Sequence, residues 1–197
     1  MPGCFSAPFS GDMIRPKRIG MFSALRKFFA SEPDAREARR PLWNAVVATA
    51  RAPHWYAEGS VPDTLDGRFD MISLVMALVL HRIDNEPAHG LAGVQLTELF
   101  VNDMDGQMRQ IGFGDMVVGK QVGRMMSALG GRLGAYRAAD GSDDLRAALV
   151  RNLWRGQEPT EAGLAHVMTE VAALRAALAA TPISDLVVAD HLGGAAR

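Results

Sequence analysis

The sequence predicts an all-α protein: a single helical domain of about six to eight helices, with a loosely attached amphipathic helix at its N-terminal side. Three observations predict it. Apolar residues recur at spacings of three and four in segment after segment past Pro41. Polar joints bearing proline or glycine, such as Val61–Phe69 and Gln110–Asp115, separate those segments. No alternating run of β-branched residues stands between them, so an alternation of strands and helices has no strands to use.

Taken in order, residues 1–40 form an N-terminal segment, 41–192 the helical domain and 193–197 a tail. Within the first segment, residues 13–31 carry Arg15, Lys17, Arg18, Arg26 and Lys27 and no acidic residue. Met21, Phe22, Leu25, Phe28 and Phe29 fall on one helical face, which makes this a basic amphipathic helix. The plainer reading docks this face on the protein's own core; the alternatives are contact of residues 15–29 with an anionic membrane surface and a targeting peptide, for which the segment is short. The first twenty residues lack the apolar stretch of a secretory signal, so the chain is expected to stay where it is made. Met21 is a second candidate start.

Past Pro41, Leu42, Trp43, Val46, Val47 and Ala50 make one apolar stripe, closed by Arg51-Ala-Pro53. The next helix, from about Phe69 to Arg82, is apolar nearly all round, as a central helix should be. Its run Met71–Leu80 spans roughly 15 Å, half of the roughly 30 Å that a bilayer core requires, so no membrane span is predicted. After the break at Asn85–Gly90, a helix from about Gly93 to Ile111 aligns Leu96, Leu99, Phe100, Met104 and Met108. Gly112-Phe-Gly114 ends it, and Asp115 can cap a long helix to about Ala138. Two further helices are read over 143–155 and 161–180, the second striped by Leu164, Val167, Met168, Val171, Leu174 and Leu178. Pro182 stops it, and Ser184 can cap a last piece through Leu192.

Composition narrows the function. The 197 residues carry a net charge of −1 and are 48% hydrophobic, which gives a foldable core and no global attraction to nucleic acid. The single Cys4 excludes an internal disulfide and a cysteine zinc site. No pair among His54, His81, His89, His166 and His191 has the i, i+4 spacing of a helical metal site, so neither metal nor cofactor is expected. His81, ending the apolar helix, reads as an interior or boundary histidine.

The acidic candidates are better explained without chemistry. Asp103 and Asp105 point about 200° apart on a helix, too far to chelate one ion, and Arg109 lies four residues after Asp105, in ion-pair register. Asp63, Asp66 and Arg68 could supply an acid, a base and an anion clamp, but beside Pro62, Thr64 and Gly67 they have the composition of a turn and helix cap. An enzyme using Asp63, Arg68, Asp103, Asp105 and Arg109 around a metal or phosphate is the alternative, and it requires those groups to converge. A helical scaffold that binds a partner through its last two helices is another, and it requires the Leu164–Leu178 stripe to be exposed.

One pattern calls for more. Gly119, Gly123, Ser127, Gly130, Gly131 and Gly134 lay small residues along one helix, although each glycine costs about 1 kcal/mol against alanine there. They line either an internal helix contact or a groove for an apolar helix of another protein. Met104, Met108, Met116, Met125 and Met126 favour an adaptable apolar surface nearby.

Together, Ala50-Arg-Ala-Pro53 with Trp55-Tyr56, Val61-Pro-Asp-Thr64 with Asp66-Gly-Arg-Phe69, Asp103-Met-Asp105 with Arg109, Gly112-Phe-Gly-Asp115, and Gly131-Arg132 with Tyr136 resemble, in order, the ubiquinol-cytochrome c chaperone family. The resemblance spans about residues 42–139. It implies a non-enzymatic assembly factor that binds cytochrome b during biogenesis of ubiquinol–cytochrome c reductase, in a bacterial cytoplasm and peripheral to the inner membrane. Trp55, Tyr56, Gly119, Gly123, Met126, Gly130 and Tyr136 are then expected to contact the client. Asp63, Asp66, Arg68, Asp103, Asp105, Arg109, Gly112, Asp115 and Arg132 are expected to be structural. The family's usual bulky aromatic pair before Gly-Arg is replaced here by Leu129-Gly130.

Overall fold

The helical expectation holds. A computed structural model describes residues 33–110, 115–139 and 141–193, which contain helices and no strand among the described residues. The described residues fall in one compact unit, Ser31–Arg197. The amphipathic helix predicted over 15–29 lies outside the described residues, as does Gly112.

The chain enters through a short helix α1 (Pro33–Glu37) and then α2 (Arg40–Ala50), whose Leu42, Trp43, Val46 and Ala50 are fully buried. Arg39 bonds the Gln95 side chain and the Val187 carbonyl, and Arg40 pairs with Asp103, so the boundary read at residue 40 lies inside the packed body. A one-turn helix α3 (His54–Ala57) follows.

Helix α4 (Leu65–Asp84) starts a turn earlier than its apolar run suggests, because the Thr64 hydroxyl accepts the Gly67 amide hydrogen at 3.1 Å. The cap is thus Thr64, and the expected capping by Asp63 and Asp66 is corrected: both carboxylates go to arginines. From Asp70 to Leu80 every residue of α4 is buried, since α2, α5, α6, α7 and α8 all pack on it. His81, past that run, is exposed rather than interior.

A 3-10 turn at Pro87–His89 leads into α5 (Gly90–Gln110), which packs against α1, α2, α4 and α6 (Asp115–Arg137). Helix α7 (Ser142–Leu153) ends at a corner where Arg155 and Gly156 take φ of +55° and +80°. Arg155 has a Cβ and sits in the left-handed region against its preference. The other described non-glycine residue with positive φ, Ser60, accepts the Trp154 indole N–H on its carbonyl, which ties the two unusual corners together.

Helix α8 (Glu161–Ala180) is capped by the Thr160 hydroxyl. By length and composition alone it is apolar enough to cross a membrane, a test that the core helices of globular folds also pass. Its Leu164, Val167, Val171, Leu174 and Leu178 are buried against α4 and α7, and Met168 is partly buried beside them. The last helix, α9, covers only Ile183–Leu186. Pro182 precedes it, and the Ser184 hydroxyl bonds Asp185 instead of capping a piece to Leu192.

Candidate functional site

The acidic and basic residues singled out in the sequence disperse. Asp63 accepts from Arg68 at 2.6 Å on the surface, which holds its carboxyl below the usual range. Asp103 takes Arg40 and the Trp43 indole N–H, and Asp105 takes Arg109 at 2.7 Å, the predicted i, i+4 pair. Asp66 accepts from Arg155. The converging centre that the enzymatic alternative requires does not form, and no metal-holding cluster occurs among the described residues.

One carboxylate the sequence reading passed over organises the surface next to these pairs. Asp70 is wholly buried on α4, with Oδ1 at 2.5 Å from Arg132 Nη2 and Oδ2 at 3.0 Å from Arg155 Nε. Burial pushes its carboxyl up while the two guanidinium groups pull it down. Arg132 also lies over the Phe69 ring, 5.2 Å from its centroid. Its side chain is 12% exposed, and its Nε and Nη1 are buried without an acceptor among the described residues.

These groups edge a cavity of about 410 Å³ between α4, α5 and α6, a size that suits a few side chains of a ligand. Phe69, Ile72, Met104, Met108, Met125 and Ala128 supply its apolar lining. Leu65 stands at the same cavity 58% exposed. Arg68, Arg124, Arg132 and Arg155 supply most of its polar edge. Three of the methionines noted in the sequence thus come together at one place.

The residues expected to touch a client divide. Trp55 and Tyr136 are core residues, 1% and 4% exposed, and that expectation is corrected: Trp55 donates to the Thr49 carbonyl, and burial pushes the Tyr136 hydroxyl pKa up. Tyr56 is half-buried, its hydroxyl bonded to the Ala50 carbonyl, and Met126 packs against the core. Gly119, Gly123 and Gly130 are exposed, with nothing among the described residues within 4 Å of a Cβ built on any of them. The period of the helix puts this glycine face roughly opposite the Gln121, Arg124, Met125, Ala128 and Arg132 face that lines the cavity. Asp115 opens α6 as its first residue.

Open space at these glycines has a measurable consequence. Gly119→Ala, Gly123→Ala and Gly130→Ala should each stabilise the protein by about 0.5–1 kcal/mol, because alanine loses less backbone freedom on folding. A combined variant should show a raised urea midpoint at unchanged m value; a lowered midpoint would place the glycines against a neighbour.

Spacing along the chain also missed a histidine pair. His54 Nδ1 on α3 lies 3.0 Å from His166 Nε2 on α8, residues that only the tertiary fold brings together. Burial and the neighbouring His166 lower the His54 pKa from 6.5, against the opposing pull of Glu170 and Glu58. The unfolded chain therefore takes this proton first. Stability from neutral His54 is fully present above about pH 6.5 and is lost as pH falls through the folded pKa. His54→Gln should flatten the fall in urea midpoint between about pH 7.5 and 5.5; an unchanged slope would remove His54 from the linkage.

The fold and the site together define an all-α bundle with a methionine-lined cavity between three of its helices. The family model described as Ubiquinol-cytochrome C chaperone matches residues 57–192, further toward the C-terminus than the motifs read over 42–139. The crystal structure of the Cbp3 homolog from Brucella abortus is similar, with a TM-score of 0.70 and 30% sequence identity over 87% of this chain and 95% of that one. No curated protein matches significantly. The chain belongs to the ubiquinol-cytochrome c chaperone family.

Proposed function

We propose that this chaperone holds cytochrome b during assembly of ubiquinol–cytochrome c reductase, by docking an apolar segment of that client in the cavity between α4, α5 and α6. The observation that carries the reading is the cavity's lining. Met104, Met108 and Met125 give it side chains that repack around varied apolar shapes, and exposed Leu65 extends the apolar surface outward. Family membership supports a protein client. The glycine face of α6 is accessible, but a stripe of small residues names no occupant, so the client is placed on the cavity side. The scaffold alternative loses support because the Leu164–Leu178 stripe is buried. The protein works without catalysis and without a cofactor, in the bacterial cytoplasm beside the inner membrane, with residues 15–29 as its contact to anionic lipid.

A photo-crosslinking side chain at Met125, compared with one at Gly123 on the opposite face, tests the docking site in cells under mild detergent. Adducts to cytochrome b from position 125, identified by mass spectrometry and absent from position 123, are expected. Adducts only from position 123, or none to cytochrome b from either, would sink the cavity as the docking site.

A further inference from the structure

We infer that the cavity recognises an acidic side chain carried by the apolar client segment, with Arg124 and Arg132 as the groups that read it. The inference rests on the docking site proposed above and adds the chemistry of what is docked.

Charge complementarity carries it. The arginines at the cavity meet carboxylates unequally: Arg68 is held by Asp63, and Arg155 by Asp66 and Asp70. Arg132 gives only Nη2 to Asp70, while its Nε and Nη1 are buried and bond no acceptor among the described residues. Buried donors are rarely left unmade, and a charged donor is the most costly to leave so. Arg124 makes one hydrogen bond, to Gln121 Oε1 at 3.4 Å, and no ion pair among the described residues. Both arginines lie on the α6 face that lines the cavity, eight residues apart. Four arginines thus face three carboxylates, and the uncompensated charge sits beside the methionines.

The chemistry that fits is an apolar helix or extended segment bearing Asp or Glu next to its buried side chains. The apolar residues fill the methionine-lined space while the carboxylate accepts from a guanidinium, in the shorter and stronger class of hydrogen bond. A neutral apolar segment fills the same space and leaves those donors unmade. The arrangement therefore selects among apolar segments, which the methionines alone do not do.

The probes are overlapping peptides of cytochrome b from the same cells, each acidic peptide paired with its Asp→Asn or Glu→Gln twin, titrated against the full chain by fluorescence anisotropy. Acidic peptides that bind should weaken about tenfold on amide replacement, equivalent to about 1.4 kcal/mol. Arg124→Gln should erase that difference without unfolding the protein, since Arg124 is exposed. Arg124→Lys should keep part of it.

Equal binding of acidic and amide twins, both abolished by Met125→Asp, would overturn the acid recognition and leave the docking site standing. No binding by any peptide would overturn the docking reading itself. Binding of phosphatidylglycerol vesicles that is lost in Arg124→Gln, without peptide binding, would assign the arginines to lipid phosphate and overturn both.

Discussion

Asp70→Ala is expected to destabilise the protein by about 3 kcal/mol, the lower end of the range for breaking a buried ion pair. Asp70 is wholly buried and holds two guanidinium groups, so its removal strands charge in the interior. Arg132 suffers most, since it is nearly buried and has no other carboxylate. Arg155 is half exposed and keeps Asp66, which is why the lower end applies. Asp63→Ala, removing a surface pair with Arg68, should change stability by less than about 1 kcal/mol. Replacing both partners by apolar residues, as in Asp70→Leu with Arg132→Met, should recover most of the loss. Urea denaturation of the four proteins reads the comparison, and an Asp70→Ala effect under about 1 kcal/mol would mean that the carboxylate is not charged and buried as described.

Gly67→Ala should be nearly as damaging, about 3 kcal/mol, although glycine sits in a helix where alanine is ordinarily preferred. A Cβ at Gly67 would lie 1.9 Å from the Pro62 carbonyl oxygen, a backbone atom that cannot swing aside. Accommodating it would pull the turn at Pro62 from the first residues of α4 and disturb the Thr64 cap. The same substitution at Gly123 should stabilise, so the two variants have opposite signs in one thermal denaturation series. Gly67→Ala with an unchanged midpoint would mean that the turn yields freely.

Why the fold was legible, and the site only in part, follows from particular residues. The stripes of α2, α5, α6 and α8 repeat over three or more turns, long enough for periodicity to identify a helix and its buried face. Helices α1 and α3 span about one turn each and carry no period. The methionines of the middle region do gather, since Met104, Met108 and Met125 line one cavity, but Met104 and Met108 are also buried in the core, a place that thioethers fill equally well. Asp70 gave no signal: at the edge of the apolar run it read as the beginning of a helix, and its arginine partners lie 62 and 85 positions away. Trp55 and Tyr136 were misplaced because an amphipathic aromatic looks alike in a core and on a contact surface. The glycine ridge was ambiguous in sequence, since close packing and open solvent both tolerate a missing side chain, and only the neighbours decide.

Helix α4 also has a consequence for synthesis. It is buried on all sides by elements on both sides of it in the chain, so most of its cover is translated after it. Helix α8 ends about 100 residues beyond α4, roughly 5–20 s of elongation at ordinary ribosome speeds. Throughout that interval the apolar run Met71–Leu80 waits on the nascent chain with only α2 among its long partners already made. For those seconds a member of a chaperone family is itself an incomplete chain whose central helix lacks its cover.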